Sequence, residues 1–446
     1  MYKILRRLVA LCFLCILSTA CASTSGSTIT APSPAVTKVQ ATPTTPLTPV
    51  PYPTTVASDR CPANLSFVAS CQTPLSMRTA YGIEPLIQKG YTGKGQTIVD
   101  IVSFGSPTLQ QDIDVFSRQF GLPPITVQQI SPLNEPVYDP RGDRPGWGDE
   151  TTLDVEIIHA LAPDANIVVL TSPVAETEGT VGLPEFRQLL QYAIDHKLGT
   201  IVSQSWGASE ATLADAAGQA EVRQWDALFQ QATTQDGMTL LASSGDNGAT
   251  DFTDLQGTRL SPTATSSFPN DDPWVTSVGG TSLHRNGNAF SESAWSSSGG
   301  GMSKFFSKPT YQQGLPTSVQ SLLQNRRGLP DVSGDADPST GLAMYEHGSW
   351  STAGGTSASA PMWAALIAIA NQMAGHPLGF INPALYKIAL SARYLQDFHD
   401  ITIGNNSVVG QGVQVEGYNA VPGWDAVTGL GTPNAVNLLP DLIANS

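Results

Sequence analysis

Short apolar runs alternate with longer amphipathic stretches from about residue 75 to residue 442. The short runs are rich in Ile, Val and Leu without an apolar–polar alternation, which predicts strands buried on both faces. The longer stretches repeat apolar residues every three to four positions and predict helices, one of which closes at Gly199. The runs assigned to strands are 97–102, 167–170, 200–203 and 238–242, and the clearest helical stretches are 185–196 and 214–233.

This alternation of strand and helix predicts an α/β fold, in which one parallel sheet carries helices on both faces. No internal repeat and no second linker interrupts the pattern, so residues 59–446 are predicted to form a single large domain. Ligands bind such a sheet at the carboxyl ends of its strands. Polar residues that follow a predicted strand are therefore the first candidates for chemistry.

The start of the chain differs in character from the rest. Residues 1–21 combine basic residues with an apolar run over 8–17, which predicts an export signal. That run is too short to span a bilayer, and Cys21 stands where a bacterial lipoprotein signal places its lipidated cysteine. We therefore expect an extracellular or cell-envelope protein, either anchored by lipid at Cys21 or secreted after ordinary cleavage at Ala20 or Ala22.

Residues 22–58 follow the signal and predict an extended tether. Of these 37 residues, 22 are Ser, Thr or Pro, so the segment cannot bury enough apolar surface to offset its ordering entropy. Beyond the tether, Cys61 and Cys71 form a pair suited to one disulfide in an oxidising compartment.

The charge of the chain excludes one large class of partners. Asp and Glu number 37 against 22 Lys and Arg, which gives a formal net charge of −15. Nucleic acid is therefore not expected as a partner, because phosphate binding needs a basic surface. Charged residues make up only 13% of the chain, and a surface with few ion pairs loses little when carboxylates become protonated. The composition is thus compatible with an acid-tolerant protein.

A candidate nucleophilic serine lies in the segment GGTSASAP at 354–361, directly before an apolar helical stretch. The glycines permit a tight turn, and Pro361 fits the first turn of a helix. Ser357 would then stand at a helix N-terminus, where backbone N–H groups and the helix dipole favour developing negative charge. A second interpretation stays open, because serine is also a common N-cap residue without a catalytic role.

Four carboxylates, those of Asp149, Glu150, Asp154 and Glu156, fall within eight residues of a predicted helix. Glu150 and Asp154 are four apart and share one helix face, where like charges destabilise by roughly 0.2–0.5 kcal/mol. Sharing one proton relieves this repulsion, raises one pKa and prepares an acid/base pair. The alternative is a solvated acidic first turn that serves only the helix dipole.

The usual base for a nucleophilic serine is histidine, but none of the six histidines of this chain lies in a Gly-rich catalytic setting. A subtilisin-type Ser-His-Asp triad is therefore not expected, and His159 is assigned to an ordinary helix position. Asp246 offers a third carboxylate between two glycines, shortly after the predicted strand 238–242. An Asp there is often only a turn residue, although a protonated carboxyl at this place could donate to an oxyanion.

The segment around Ser357, the Glu150–Asp154 pair and the Ser-Gly-Asp segment that ends at Asp246 resemble the sedolisin family of serine-carboxyl peptidases in order and spacing. The resemblance covers about residues 81–433 and implies a subtilisin-like fold in which Glu replaces the catalytic His. It also implies activity in acid. Further matching segments are Ser-Trp-Gly at 205–207, Val-Gly-Gly-Thr at 278–281, Pro-Asp-Val-Ser at 330–333 and Ala-Asp-Pro at 336–338.

By position, the resemblance implies Ser357 as the nucleophile, Glu150 as the general base and Asp154 as the carboxylate that orients the base. Asp246 resembles the protonated acid that completes the oxyanion hole. Acid would be required because a Glu base must be ionised while Asp246 is still protonated. The implied activity is that of an acid-acting serine endopeptidase on peptides or denatured proteins, and we expect a monomer.

The resemblance also implies one calcium ion in a C-terminal loop. Its ligands would be the side chains of Asp400 and Asp425 and the carbonyl oxygens of Ile401, Val421 and Gly423. Calcium is a hard cation that prefers such oxygen ligands. Without the resemblance this segment would be assigned to an irregular loop, because it fits no EF-hand spacing.

Two departures from the family pattern change these expectations. Members usually carry a folded prodomain, whereas here the tether and about twenty residues precede the catalytic pattern. The first strand of members usually ends in an acidic residue that extends the carboxylate network, but Val102 stands near that place, with Asp100 two residues earlier. We therefore expect the base to be tuned differently and the pH optimum to be displaced.

Two other functions compete with that of a peptidase. A catalytically silent lipoprotein on the same fold would bind partners at the cell surface, but all four catalytic positions hold competent residues. A glycoside hydrolase could use Glu150 and Asp154 as its carboxylate pair, yet it leaves Ser357 and Asp246 without a role. The sequence therefore favours the peptidase.

Overall fold

The computed structural model of the protein describes residues 59–68 and 70–446. The predicted export signal and tether, residues 1–21 and 22–58, lie outside the described residues. A disulfide joins Cys61 and Cys71, which confirms the predicted pairing. None of the helices in the described part of the chain is long and apolar enough to cross a membrane.

Strands and helices alternate along the described chain as the sequence pattern predicts. The strands are β1 Thr97–Ser103, β2 Gln128–Ile130, β3 Asn166–Ser172, β4 Ile201–Gln204, β5 Ala208–Ser209, β6 Thr239–Ser243, β7 Ser267–Phe268, β8 Thr276–Asn286, β9 Ala289–Ala294, β10 Gly301–Ser307, β11 Arg326–Leu329, β12 Val332–Asp335, β13 Ala343–Glu346, β14 Ser349–Thr352, β15 Phe398–His399, β16 Val408–Gly410, β17 Val413–Val415 and β18 Thr432–Pro433. The α-helices are α1 Pro74–Ala80, α2 Glu84–Gln88, α3 Leu109–Phe120, α4 Arg144–Leu161, α5 Leu183–Asp195, α6 Ala216–Thr234, α7 Thr317–Leu323, α8 Thr356–Ala374, α9 Asn382–Ala389, α10 Tyr394–Asp397 and α11 Ala435–Asn445.

A central sheet of parallel strands runs in the order β12-β8-β6-β4-β1-β3-β2, and β9 adds one antiparallel strand beside β8. The four strands predicted from apolar runs are β1, β3, β4 and β6, which lie side by side in the middle of this sheet. Strands in the middle of a parallel sheet are covered on both faces, which is why their sequences are almost wholly apolar. The predicted fold class is confirmed.

Alternate residues of the central strand β1 enter two different cores. Ile98 and Val102 belong to the core that includes α4 and α8, whereas Val99 and Ile101 belong to the core of α5 and α6. Helix α8 is apolar on nearly all sides because it lies between the sheet, α4 and α11. The two faces of the sheet are thus covered by helices, as predicted.

Local signals set several helix boundaries. The side chain of Asp215 accepts a hydrogen bond from the N–H of Gly218 at 2.7 Å and caps the start of α6. Helices α3 and α8 end at Gly121 and Gly375, both in the left-handed conformation that glycine adopts without strain. These boundaries leave the N-terminus of α8 at the carboxyl edge of the sheet.

Candidate active site

The carboxyl ends of β4 and β6 meet the N-terminus of helix α8. Ser205 follows β4 directly, and β6 is followed by the loop that carries Asp246. The N–H of Gly245 donates a hydrogen bond to Thr356 Oγ1 at 2.9 Å, which joins this loop to the first residue of α8. The candidate residues therefore gather at the edge of the sheet where the fold predicts a crevice.

Ser357 is the second residue of α8, and its side chain is half-buried. Its N–H has no acceptor among the described residues, as is usual in the first turn of a helix. Pro361 lies four residues further on and carries no N–H for the Ser357 carbonyl. The hydroxyl of Ser205 lies 3.3 Å from that carbonyl oxygen and 2.8 Å from Asp154 Oδ1, and its single proton can serve only one of these two acceptors at a time. The serine stands at a helix N-terminus as predicted, although Pro361 lies beyond the first turn.

The acidic stretch 149–156 lies well inside helix α4, because the helix begins at Arg144. Asp154 and Glu156 have no exposed surface. Burying a carboxyl group costs free energy unless the group is hydrogen-bonded or protonated. The alternative of a solvated acidic first turn is therefore wrong.

Two of these four carboxylates contact the β13–β14 hairpin. Glu156 accepts a hydrogen bond from the N–H of Tyr345 at 2.9 Å. Asp149 lies 3.1 Å from Nε2 of His347 at the hairpin tip. The other two carboxylates of the stretch, Glu150 and Asp154, are the members of the predicted acid/base pair.

Asp154 is the more deeply buried member of that pair. Its Oδ1 accepts a hydrogen bond from Ser205 Oγ at 2.8 Å, which links it to the carbonyl of Ser357. Burial, followed by the negative charges of Asp100 and Glu150, raises the pKa of Asp154 well above its usual value. These surroundings therefore favour the protonated form of Asp154, which can donate a hydrogen bond.

Glu150 lies one helical turn before Asp154 and is half-buried, so a substrate can reach it. Helix α4 packs along α8, which brings the helix of Glu150 against the helix of Ser357. A partly exposed carboxylate beside a buried, protonated one is the arrangement in which two equal groups take different acid/base roles.

Asp100 is a site residue without a predicted role. It lies in the middle of β1, has no exposed surface and shares a hydrogen bond with Asp154. Burial raises the pKa of Asp100 to about 7. The acidic residue that is absent at Val102 is replaced by one two positions earlier on the same face of the strand. The sequence signal was an aspartate inside an otherwise apolar strand.

Asp246 is exposed and held by the residues that precede Ser357. Its Oδ1 accepts hydrogen bonds from the N–H of Thr356 at 2.8 Å and from Thr356 Oγ1 at 2.9 Å. Gly355 has φ 89°, and a Cβ at this position would lie 2.7 Å from Asp246 Oδ2. Both the positive φ and the lack of room for a Cβ therefore require glycine at this position. Asp246 is thus held at the residue before Ser357, and its carboxyl group and the N–H of Ser357 are the candidates to hold a negatively charged oxygen.

The predicted calcium ligands come together in one C-terminal loop. The N–H of Gly423 donates to both carboxyl oxygens of Asp400 at 3.1 Å each, and the N–H of Val421 donates to Asp425 Oδ2 at 3.1 Å. Ile401, whose carbonyl was predicted as a ligand, follows Asp400 and is buried. Burial raises the pKa of Asp425 to about 7.

The charge of this loop fits an oxygen-preferring cation. Asp400 and Asp425 form no ion pair with a Lys, Arg or His of the described residues. No cluster of three or more metal-binding side chains occurs in the part of the chain that the structure describes, so carbonyl oxygens would complete the ligand set. Two carboxylates and three carbonyls supply five oxygen ligands, and one water molecule would complete the minimum of six that calcium takes.

Comparisons with known proteins place the chain among peptidases. The subtilase family model matches residues 146–390. Kumamolisin from Bacillus sp. (strain MN-32) is 33% identical over 393 residues, which cover 85% of this chain and 65% of that protein. Sedolisin from Pseudomonas sp. (strain 101) is 31% identical over 357 residues, which cover 77% of this chain and 57% of that protein.

A solved structure is similar as well. Pseudomonas sedolisin, a serine-carboxyl proteinase complexed with two molecules of pseudo-iodotyrostatin, gives a TM-score of 0.69 at 27% identity, over 84% of this chain and 99% of that chain. The chain spans less than two thirds of the length of the two curated relatives. These similarities do not favour a silent binding protein or a glycoside hydrolase.

Proposed function

Because the chain belongs to the sedolisin family of serine-carboxyl peptidases, we propose that it is an acid-acting endopeptidase with Ser357 as its nucleophile. The observation that supports this most is the position of Ser357 at the N-terminus of α8, with a free N–H and with Asp246 beside it. Ser205 links the same serine to the buried Asp154. The substrates are peptides or denatured proteins, whose backbone can extend into an open crevice.

The first half of the reaction forms an acyl-enzyme. Ser357 Oγ attacks the carbonyl carbon of the scissile peptide bond, and its proton passes to the carboxylate of Glu150. Asp154 donates a hydrogen bond to Glu150 and fixes its orientation. When the tetrahedral intermediate collapses, the C–N bond breaks and Glu150 returns the proton to the leaving amine.

The second half releases the acyl group. A water molecule gives a proton to Glu150 and attacks the ester carbon, and the proton then returns to Ser357 Oγ as the C–O bond breaks. The two halves use the same base in alternation, so no net proton is gained or lost by Glu150.

The oxyanion of each tetrahedral intermediate is held by two donors, the N–H of Ser357 and the carboxyl of Asp246. One such donor contributes about 2.7–4 kcal/mol to transition-state stabilisation. Asp246 can donate only while it is protonated, whereas Glu150 can accept only while it is ionised. Acidic solution is the condition in which both requirements are met.

The C-terminal loop is proposed to bind one calcium ion. Asp400 and Asp425 would supply carboxylate oxygens, and Ile401, Val421 and Gly423 would supply carbonyl oxygens. The ion would connect the chain near Asp400 to the chain near Asp425 and neutralise a buried negative charge. Its role is structural, since no step of peptide hydrolysis passes through it.

The location of the protein is proposed from the sequence of its first 58 residues. The export signal directs the chain out of the cytoplasm, Cys21 becomes the lipid-modified N-terminus, and the tether of residues 22–58 separates a monomeric catalytic domain from the membrane. Mass spectrometry of the mature protein tests this proposal. An unmodified N-terminus after Ala20 or Ala22 would replace the anchored protein by a secreted one.

The activity is tested with the exported chain and a denatured protein substrate, from about pH 3 to about pH 8. Peptides with new internal termini should appear in acid, and their amount should fall toward neutrality. Cleavage with a maximum above neutral pH, or none at any pH, would contradict the proposal.

A further inference from the structure

Asp100 occupies an unusual place for a carboxyl group, the middle of the central strand β1. It pairs in register with Val169 of β3 and with Ser203 of β4, and it has no exposed surface. Side chains alternate along a strand, so Asp100 points to the same face as Ile98 and Val102. That face carries α4 and α8, and α4 contains Asp154 and Glu150.

This carboxyl group lacks a compensating positive charge within residues 59–68 and 70–446. Asp100 forms no ion pair with a Lys, Arg or His of the described residues. No N–H or hydroxyl of the described residues donates to either of its oxygens, and the same holds for Oδ2 of Asp154. An isolated buried carboxylate is costly, so such a group persists only when it is protonated or shares a proton.

Among the described residues, Asp154 is the titratable side chain that interacts with Asp100. Helix α8 contains no titratable residue, and neither β3 nor β4 does. Helix α5 packs against the opposite face of β1, with Val99 and Ile101. On α4, Asp154 shares a hydrogen bond with Asp100, and Glu150 lies one turn further toward the crevice.

A hydrogen bond between two carboxyl groups requires a proton on one of them. The Asp100–Asp154 contact is therefore a position for a proton inside the core, directly behind the proposed base. Asp154 has one carboxyl proton, on Oδ2, with which it can donate a hydrogen bond. The acceptor is either Glu150, on the side of the crevice, or Asp100, inside the core. The charge on Asp100 decides between these two acceptors, because an anion attracts the donor and a neutral acid does not.

We propose, resting on the peptidase function above, that Asp100 is a positioning residue. While Asp100 is neutral, Asp154 donates its hydrogen bond to Glu150. When Asp100 is ionised, Asp154 donates this hydrogen bond to Asp100 instead. In the neutral state of Asp100, three carboxyl groups act in a line from the core to the crevice, with two protons and one negative charge. The negative charge lies on Glu150, the only member that a substrate can reach.

The order in which the protons leave supports this arrangement. Burial raises the pKa of Asp100 to about 7, and burial with two neighbouring charges raises the pKa of Asp154 well above its usual value. Below about pH 7 Asp100 is protonated, so it does not compete with Glu150 for the hydrogen bond that Asp154 donates. As the pH rises through about 7, Asp100 ionises, and Asp154 keeps its proton but donates the hydrogen bond to Asp100. Glu150 then loses the hydrogen bond that orients it, and turnover falls.

The pH dependence of Asp100→Asn tests the proposal. Asparagine has the same shape, can donate an N–H to Asp154 and never ionises. The alkaline limb of kcat should move upward by at least about one pH unit relative to the parent, with little change of KM. Ser203→Ala, a change at the neighbouring buried position of β4, should leave the limb where it is. An alkaline limb of Asp100→Asn that coincides with that of the parent would overturn the proposal.

A second measurement tests the proposal without an activity assay and with Asp100 left unchanged. The Ser357→Ala chain, labelled with ¹³C at the aspartate carboxyl carbons, is titrated by NMR. The Asp100 resonance should titrate with a midpoint near pH 7, and the resonance of Asp154 should respond to the same step. A midpoint at the ordinary value of about 4 would contradict the proposal. If the parent hydrolyses nothing, the peptidase function fails, whereas this titration still reports whether the two carboxyl groups share a proton.

Discussion

At the scale of single residues, Asp154 shows how burial converts an ordinary aspartate into a proton donor. Its side chain has no exposed surface, and its hydrogen-bond donor is the neutral hydroxyl of Ser205. Burial favours the protonated form, and the negative charges nearby add to the effect. A histidine base would need no such surroundings, so the acid requirement that we propose for the site follows from the proposed choice of a carboxylate as base.

The first prediction concerns Glu150 and Asp246. Glu150→Gln removes the group that accepts the serine proton, and Asp246→Ala removes an oxyanion donor. Each change should lower kcat in acid by at least about a hundredfold, the scale for losing a base or one oxyanion donor. Melting temperatures should stay close to that of the parent, because both side chains are at least partly exposed. A variant with kcat within about tenfold of the parent would remove that residue from the mechanism.

The second prediction uses two glycines with the same backbone restriction. Gly355→Ala and Gly348→Ala both place a Cβ on a residue with positive φ, 89° and 85°, and should cost about 1–3 kcal/mol of stability. A Cβ at Gly355 meets Asp246 Oδ2 at 2.7 Å, whereas one at Gly348 meets nothing within 4 Å. Only Gly355→Ala should therefore lower kcat. Equal kcat losses in both variants would mean that the contact with Asp246 has no catalytic role.

The four predicted site residues and Asp100 differ in how they can be found from sequence. Ser357, Glu150 and Asp154 lie in short contiguous segments whose spacing already indicates their chemistry. Asp100 contacts a residue 54 positions away, on another type of element, and no local spacing marks this contact. Its only local sign is the presence of a charge in a buried strand, which does not say what the charge contacts.

At the scale of elements, the strands in the middle of the sheet were predictable from sequence, whereas β8 and β12 at one edge of the sheet were not. Strands β6, β4, β1 and β3 are apolar runs, whereas β8 and β12 contain Gly and Ser and lack a continuous apolar run. The structure explains the glycine at 280, because a Cβ there would lie 2.6 Å from the Cβ of Ala336 and 2.9 Å from the ring of Trp295. Close packing of neighbouring segments, which a local pattern cannot show, therefore decides the composition of β8.

A serine of strand β10, Ser303, contacts a second pair of buried carboxyl groups, those of Glu210 and Asp271. Ser303 Oγ lies 2.6 Å from Glu210 Oε1 and 2.8 Å from Asp271 Oδ2, and it accepts the N–H groups of Phe305 and Phe306. The single hydroxyl proton can serve only one of these carboxyl groups. Glu210 and Asp271 also share a hydrogen bond, which again requires a proton between them.

The third prediction is that this pair makes the fold more stable in acid. Burial, followed by the charge of Glu210, raises the pKa of Asp271 well above its value in the unfolded chain. The contribution of such a group is fully present below the unfolded pKa of about 3.9 and is lost as the pH rises toward the folded pKa. The melting temperature of the Ser357→Ala chain should therefore fall from about pH 4 to about pH 7.

Glu210→Gln in the same Ser357→Ala chain replaces the shared proton by an amide N–H that does not titrate. The fall in melting temperature should become smaller by about 2 °C or more, the shift that about 1 kcal/mol produces in a larger domain. Asp195→Asn, a change at an exposed carboxylate, is the control and should leave the fall unchanged. A fall as steep in Glu210→Gln as in the control would assign the acid preference to other groups.

At the scale of the whole molecule, the sequence predicted one domain that begins near residue 59, and the described part of the chain extends from there to the C-terminus. The export signal and tether stay predictions, because they lie outside the described residues. The calcium loop could be found only through the family resemblance, since its carbonyl ligands carry no side-chain signal.

The fourth prediction concerns calcium and global stability. A chelator should lower the melting temperature of the Ser357→Ala chain, because an ion that binds only the folded state at a hundredfold excess over its Kd contributes about 2.7 kcal/mol. Asp400→Ala should melt where the chelated protein melts and should show no further response to chelator. Asp195→Ala serves as the control and should remain sensitive. A parent chain without any chelator effect, or full sensitivity in Asp400→Ala, would exclude this loop as the calcium site.

Replacement of the proposed nucleophile tests the central claim most directly. The exported parent and its Ser357→Ala variant are incubated with the same denatured protein in acid, and peptide release and melting temperature are measured for both. The account predicts that the parent releases peptides, that the variant releases none above background, and that the two melting temperatures agree. Peptide release by Ser357→Ala within tenfold of the parent would contradict the account, because hydrolysis would then proceed without the proposed nucleophile.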